Sequence, residues 1–194
     1  MSMGKLHSSL RFALPASLAA QGYELRPERG EDHAFLESLY IAVRWPELAQ
    51  CEWSDASKFT FLRQQFALQN KHYATHYSDA EFLVLEQQGC AVGRLYLFRG
   101  EKDYRIVDIS LMPGVRNGGV GTALLRGVLA EAADAQCTAS IHVEKFNPAQ
   151  ALYHRLGFRQ ISESGPYWLM QWAASSDAAA SVSDFTKQQA ILFE

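Results

Sequence analysis

The stretch that decides the fold runs from residue 108 to residue 132 and reads DISLMPGVRNGGVGTALLRGVLAEA. It begins as a strand-like run and ends with leucine, valine and alanine at helical spacing. Glycine is concentrated in the loop between them, within eight residues: Gly114, Gly118, Gly119 and Gly121. Glycine permits positive φ and lets a ligand approach main-chain N–H groups. The helix that we expect to open at Thr122 offers its first N–H groups to an anion such as a diphosphate, and Arg116 adds a positive charge.

The residues in and after the loop do not match two other nucleotide-binding motifs. The glycines are not followed by the G-K-[ST] of a P-loop. A dinucleotide fingerprint needs a third glycine at position 124, where Leu124 stands, and belongs after the first strand of a parallel unit. A tight strand-to-helix turn without a ligand remains an alternative for the loop alone.

Apolar periodicity outlines one domain around this loop. Runs at 81–88, 91–98 and 104–112 predict an antiparallel meander before it, and a strand at 138–146, a short helix at 148–157 and strands at 158–164 and 167–172 follow it. Upstream we expect a strand at 23–26, a helix capped by Asp32 that ends before Pro46, and a second helix capped by Ser54 or Ser57. In that helix four residues are expected to share the apolar side: Phe59, Leu62, Phe66 and Tyr73.

The ends of the chain are predicted to lie outside this domain. We assign residues 1–20 to an N-terminal extension, 21–173 to the domain, and 174–194 to an Ala/Ser-rich linker and C-terminal tail. A docking helix and a disordered tail are both open for the last eleven residues, DFTKQQAILFE. The run FALPASLAA at 12–20 has features of a signal peptide, but it is short and contains Pro15.

The composition limits the classes of partner that we expect this protein to bind. Eighteen basic and 21 acidic side chains give a net charge of −3, which offers no footprint for nucleic acid or an anionic membrane, and no apolar run is long enough to span a bilayer. Cys51, Cys90 and Cys137 are too far apart for a metal knuckle, so we expect reduced thiols and a cytoplasmic location. His72 and His76 have zinc-like spacing without a third ligand, and no metal is predicted.

The combination of motifs carries a family resemblance. Residues 108–132 are followed at 141–158 by IHVEKFNPAQALYHRLGF, so that Pro113, Arg116-x-x-Gly119-x-Gly121, a helix, Asn147, Tyr153 and Gly157-Phe158 occur in order. This order resembles the GNAT superfamily of acyl-CoA-dependent N-acetyltransferases over about residues 22 to 172. One departure is that Asn147 precedes Tyr153 by six residues, where many members have seven. The resemblance implies an α/β (α+β) fold with a mixed, mostly antiparallel central sheet, splayed strands and flanking helices, and acetyl-CoA as co-substrate.

The resemblance also implies where acetyl-CoA binds. Main-chain groups of Leu111 and Met112 would bind the pantetheine arm and polarise the thioester carbonyl, in the manner of an oxyanion hole. Asn147 would reach the arm near the splay. The diphosphate would be bound by the loop and the first helical turn, from Arg116, Asn117, Gly118, Gly119 and Val120 to Gly121 and Thr122.

Catalytic groups follow from the resemblance and from the chemistry of amines. Tyr153 matches a family tyrosine near the thioester sulfur and would act as general acid, although packing is the alternative. A protonated amine cannot attack, and the candidates for taking its proton are Asp108, His142 and Glu144, with structural roles open for each. A water chain to bulk solvent, serving in place of these side chains, is a fourth alternative.

The acceptor pocket is expected between the first two helices, at residues 40–77. Aromatic and acidic side chains there suit a cationic amine: Trp45, Glu47, Glu52 and Trp53. Alternatively, the tryptophans cap the core and the glutamates are solvated. The predicted function is direct acetyl transfer to an amine of a small molecule or protein, and the alternative is a non-catalytic acyl-CoA sensor. A homodimer is left open, because Trp168 and Trp172 suit either the core or a dimer contact.

Overall fold

The computed structural model describes residues 10–174. The linker and tail expected at 174–194 therefore lie outside the described residues, apart from Ala174. The described part of the chain folds around one seven-stranded sheet in the order β1-β2-β3-β4-β5-β7-β6. Its strands are β1 (Tyr23–Pro27), β2 (Glu81–Gln87), β3 (Cys90–Arg99), β4 (Asp103–Leu111), β5 (Thr138–Glu144), β6 (Arg159–Ser164) and β7 (Tyr167–Trp172).

All neighbouring strands pair antiparallel except β4 and β5, which pair parallel. The sheet is thus mixed and mostly antiparallel, as predicted. The described helices are α1 (Ala16–Ala19), α2 (His33–Arg44), α3 (Asp55–His76), α4 (Val120–Asp134) and α5 (Gln150–Arg155). Single 3-10 turns occupy Gly30–Asp32, Trp45–Leu48 and Pro113–Val115.

The main core lies between α4 and one face of the sheet. Alternate residues of the central strands, such as Leu95 and Ile141, meet the buried side of α4, where Leu124 and Val128 have no exposed surface. A smaller cluster joins α2 to α3 on the opposite face around Leu36, Tyr40, Leu62 and Phe66. The two faces of the sheet are therefore covered by different helices.

Residues 10–20, the described part of the predicted extension, contribute to the main core, and residues 1–9 lie outside the described range. Phe12 and Leu18 are each only 2% exposed and belong to the cluster around α4. Gly127 makes this possible, because a Cβ at that position would lie 3.0 Å from the Phe12 ring. The Glu81 carboxylate also accepts the main-chain N–H groups of Arg11 and Phe12, at 2.7 and 3.1 Å. The packed part of the chain thus begins earlier than residue 21.

Local differences from the predicted elements concern helix ends. Ser54, and not Ser57, caps α3 by accepting the Ser57 N–H. The Asp32 side chain makes no cap bond to α2 and instead pairs with Arg26. Phe59, predicted on the buried side of α3, is 47% exposed, and its ring packs against Trp45. Helix α4 opens at Val120, two residues before the predicted start.

Candidate active site

The parallel strands β4 and β5 separate partway along their length. Their pairing covers 103–106 with 138–141 and ends at the pair Ile106–Ile141, whereas β4 continues to Leu111 and β5 to Glu144. Val107 is an extra residue at this point, since Tyr96 on β3 faces Asp108 and Leu97 faces Ile106. We call the opening beyond Ile106 and Ile141 the split. It is the expected splay.

Main-chain groups of β4 face the split at alternate residues. The Met112 N–H donates to the Val92 carbonyl at 2.8 Å, in register with the pair Gly93–Leu111. Because ladder bonds alternate along an antiparallel pair, the N–H and C=O groups of Leu111 and Ile109 point away from β3, toward the split. The Leu111 N–H is therefore placed to polarise a carbonyl there, but the Met112 N–H is already bonded. The expectation that both residues offer free groups is corrected for Met112.

Close approach of β3 to β4 depends on Gly93. A Cβ at this position would lie 2.6 Å from Leu111 Cδ2 and 2.7 Å from the Ser110 carbonyl oxygen, and neither distance occurs in real structures. Gly93 thus fixes where Leu111 lies at the edge of the split.

The N-terminus of α4 adjoins the same end of β4. Gly119 is its N-cap residue with φ of +83°, and no side chain caps the helix. The first helical bond is donated by Ala123 to the Gly119 carbonyl, so the N–H groups of Val120, Gly121 and Thr122 point out of the helix end unbonded. A Cβ on Gly119 would meet nothing within 4 Å. An uncapped, 15-residue helix with open space at its N-terminus suits an anion.

Arg116 and Asn117 shape the loop ahead of this helix. The Arg116 Nε donates to the Leu111 carbonyl at 2.9 Å, which lays the guanidinium along the end of β4. Asn117 has φ of +64°, a left-handed conformation that asparagine tolerates better than most residues. The loop residues expected to bind a diphosphate are thus brought together at the helix end.

Tyr153 lies on α5 and is 5% exposed. Its ring packs edge-on against Phe158, with 5.8 Å between centroids. Burial, as the larger cause, and the charge on Asp108, as the smaller, raise the pKa of Tyr153 well above its usual value. The phenol therefore keeps its proton at neutral pH. Asn147 precedes this helix, and its Oδ1 accepts the Ala149 N–H at 2.9 Å, which fixes the turn into α5.

Asp108 lies just beyond the bulge and is held by three donors. Its Oδ2 accepts from Arg94 Nη2 at 2.6 Å and from the Tyr73 hydroxyl at 3.1 Å, and its Oδ1 accepts from Ser110 Oγ at 2.7 Å. Arg94 is 1% exposed, and its Nη2 also donates to Gln69. Sequence reasoning missed Arg94, although an arginine inside the apolar run AVGRLYLF was the signal that could have found it.

His142 is the first residue of β5 beyond the last pair with β4. Its Nδ1 lies 3.3 Å from Nη1 of Arg105, a buried residue of β4. Desolvation, assisted by the charge on Arg105, lowers the pKa of His142 to about 4. The imidazole is therefore neutral at pH 7. Arg105 was also missed, and it too interrupts an apolar strand.

Glu144 ends β5 and forms an ion pair with Arg44, the last residue of α2. Arg44 Nε also pairs with Glu47 Oε2 at 2.9 Å, so one guanidinium joins two carboxylates. Burial raises the pKa of Glu47. Tyr167, opposite Glu144 in the sheet, has its pKa raised by burial and by the Glu144 charge. This group connects the end of α2 to the strand beyond the split.

The expected acceptor residues are divided between two places. Glu47 joins the Arg44 group, and Trp45 packs on the α2–α3 cluster with its ring 4.8 Å from Phe59. Glu52 is exposed, and Trp53 is 49% exposed with its ring against Phe61. Trp53 lines a shallow depression on the outside of α3. The structure brings Glu47, but not Glu52 or Trp53, beside Glu144.

Within residues 10–174 no group of three or more metal-ligating side chains is present. The rings of His72 and His76 stack with centroids 4.3 Å apart, and His76 Nδ1 bonds the His72 carbonyl oxygen. No helix in the described range is long and apolar enough to cross a membrane.

Comparison with known proteins agrees with this geometry. The family model for the "Acetyltransferase (GNAT) family" matches residues 43–158. No curated protein matches the sequence. Among solved structures, a PaiA N-acetyltransferase from Thermoplasma acidophilum in complex with coenzyme A shares 16% identity at a TM-score of 0.60, covering 78% of this chain and 98% of that one.

A second similar structure is the ribosomal-protein-S18-alanine N-acetyltransferase from Escherichia coli. It is 18% identical at a TM-score of 0.53, over 79% of this chain and 94% of its own. At these identities the structures establish the fold, and the family match over more than half of the chain establishes the family. The chain belongs to the acetyltransferase (GNAT) family.

Proposed function

We propose that this acetyltransferase moves an acetyl group from acetyl-CoA directly to the amine of a small molecule or protein, within a ternary complex. The observation that carries the proposal is the split. It lies between an uncapped helix N-terminus that suits a diphosphate and a buried, protonated tyrosine, Tyr153. The proposal includes no covalent enzyme intermediate. Of the three cysteines, Cys51 lies in a loop, Cys90 begins β3 and Cys137 precedes β5.

The residues around the split suit the charge and the polar groups of acetyl-CoA. The N–H groups of Val120, Gly121 and Thr122, together with Arg116, would bind the diphosphate. Gly119 leaves room there, since no atom lies within 4 Å of its Cβ direction. Main-chain groups of Ile109 and Leu111 would bond the pantetheine arm, with the Leu111 N–H on the thioester oxygen.

Transfer needs two proton movements. The amine nitrogen forms a bond to the acetyl carbon, the carbon–sulfur bond breaks, and the sulfur leaves with the electron pair. The thiol of the leaving group has a pKa of about 8.5, and Tyr153, which retains its proton at neutral pH, would donate a hydrogen bond or the proton itself to the departing sulfur. The amine must lose a proton before or during attack.

We place the acceptor on the side of the sheet covered by α2 and α3, where Glu47, Glu144 and Tyr167 lie beyond the end of the split. Glu47 is 43% exposed on its side chain and provides a negative charge at the entrance. Trp45 packs against the α2–α3 cluster, whereas Trp53 and Glu52 are exposed and lie apart from Glu144.

The alternative function is a sensor that binds acyl-CoA without transferring the acetyl group. Calorimetry with acetyl-CoA, followed by thiol-release measurements on a panel of amines and peptides, separates the two. We expect both binding and amine-dependent thiol release. Tight binding with no release for any amine between pH 7 and pH 9.5 would refute catalysis and favour the sensor.

A further inference from the structure

Each candidate for taking the amine proton is paired with its own arginine. Asp108 is held by Arg94, His142 by Arg105 and Glu144 by Arg44. The three arginines come from β3, β4 and α2, so the pattern does not follow from one element of secondary structure. All three pairs lie on the face of the sheet where the acceptor is expected.

Each of these pairs engages an oxygen or nitrogen atom that a base would use. Asp108 accepts three hydrogen bonds, two of them on Oδ2. Glu144 Oε1 accepts from Arg44, and the Glu144 side chain is only 21% exposed. His142 accepts through Nδ1 from Arg105, whose positive charge lies beside the ring and opposes a second proton. Protonating any of the three would place a proton next to a guanidinium or displace a charge-assisted hydrogen bond.

The consequence depends on the basicity of the amine. A lysine amine has a pKa of about 10.4, and at pH 7 only about 1 in 2,500 molecules is the free base. A peptide α-amine has a pKa of about 7.7–8.0, and about 1 in 7 is already free. Without an available base, the second class has an advantage of about 300-fold at pH 7 from the free-base fraction alone.

We propose that the acceptor is the α-amino group of a peptide or protein N-terminus, not the side-chain amine of lysine or a polyamine. This inference rests on the proposed acetyltransferase function and names its substrate class. Glu47 would attract the protonated form of either amine, so attraction does not discriminate between them. The two amines differ in the free energy needed to remove the proton, which is smaller for the α-amine. The α-amine can therefore release its proton to solvent.

The test uses two peptides of the same sequence that differ only in which amine is blocked. One has a free N-terminus and an acetylated lysine, and the other has an acetylated N-terminus and a free lysine. We expect the first to react with a kcat/KM about 300-fold higher at pH 7, and the ratio to fall to about 25-fold at pH 9 as lysine deprotonates. Mass spectrometry locates the new acetyl group.

Variants connect the preference to the arginine pairs. Arg44→Gln releases Glu144 and the more exposed Glu47 from their shared guanidinium, and we expect the ratio at pH 7 to fall at least 3-fold because the lysine peptide gains a base. The control is Arg63→Gln, which removes an exposed arginine paired with Glu37 on the surface and should leave the ratio unchanged.

The outcomes separate the inference from the function on which it rests. Equal or faster reaction of the lysine peptide or of spermidine at pH 7 overturns the α-amine assignment and leaves the acetyltransferase function standing. An unchanged ratio in Arg44→Gln overturns the argument from the pairs. Tight acetyl-CoA binding with no transfer to any amine overturns the function and the inference together.

Discussion

The loop before α4 allows an isosteric test of diphosphate binding. Gly119 has φ of +83°, and its Cβ direction is empty to 4 Å. Asparagine and aspartate tolerate this left-handed conformation better than other side chains and have nearly the same volume, so Gly119→Asn and Gly119→Asp impose similar backbone strain. They differ by one negative charge at the helix N-terminus, and the comparison therefore isolates electrostatics.

The charge penalty can be calculated from Coulomb's law. A carboxylate on residue 119 would stand about 5 Å from an anion on the N–H groups of the first turn, which costs about 1–3 kcal/mol per unit charge for an effective dielectric constant of 80 to 20. The dissociation constant of acetyl-CoA should thus be about 5- to 150-fold larger for Gly119→Asp than for Gly119→Asn.

Isothermal titration measures the two constants, and thermal unfolding of both variants checks that their stabilities agree. In 1 M salt the Debye length falls to about 3 Å, so the difference in affinity should shrink. Equal affinities at low salt would refute the assignment of the diphosphate to the N-terminus of α4, because the added carboxylate must repel any phosphate bound there.

Three further changes test other parts of the molecule. Tyr153→Phe should lower kcat by about 10²- to 10⁴-fold without changing the acetyl-CoA dissociation constant, and steady-state kinetics showing an unchanged kcat would contradict the general-acid role. Phe12→Ala should lower the free energy of unfolding by about 3–5 kcal/mol in urea titrations, since the ring is 2% exposed, whereas a loss below about 1 kcal/mol would mean that the segment does not pack in the core. Because the pKa of His142 is lowered to about 4, the unfolded state binds more protons between pH 6.5 and pH 4, and stability is lost as the pH falls through that range. Urea titrations should show a steeper loss for the parent protein than for His142→Gln, and parallel curves would contradict the shift.

The sequence predicted those parts of the fold that depend on local signals. The glycine cluster lies between a strand and a helix within one short stretch, and both the sheet and the family were confirmed. The arginine pairs were not predictable in the same way, because their members are separated by 14, 37 and 100 positions. Contacts between such distant residues depend on register and on helix placement, which composition and periodicity do not determine.

The N-terminal segment shows a second reason for a missed contact. Residues 12–20 form a weakly apolar run that ends in small residues and lacks strong periodicity, which favours an extension. This segment packs against Gly127 of α4. A glycine inside a helix lowers stability relative to alanine. That cost was a signal of close packing at this position, and Phe12 is the side chain that fills the space. The roles of the site residues, in contrast, stay predictions.

The division of the sheet into two faces explains why transfer is expected at one point only. One face packs against α4 and is apolar, while the other carries Arg94, Asp108 and His142 beneath α2 and α3. Where strands are paired, the backbone separates these two environments. Beyond Ile106 the strands part, and there burial, and to a lesser extent the charge of Asp108 on the polar side, raise the pKa of Tyr153 on the apolar side. Under the proposed function, a cofactor bound at α4 and an amine arriving from the α2–α3 side would meet within the split, and substitutions that close the split should abolish transfer.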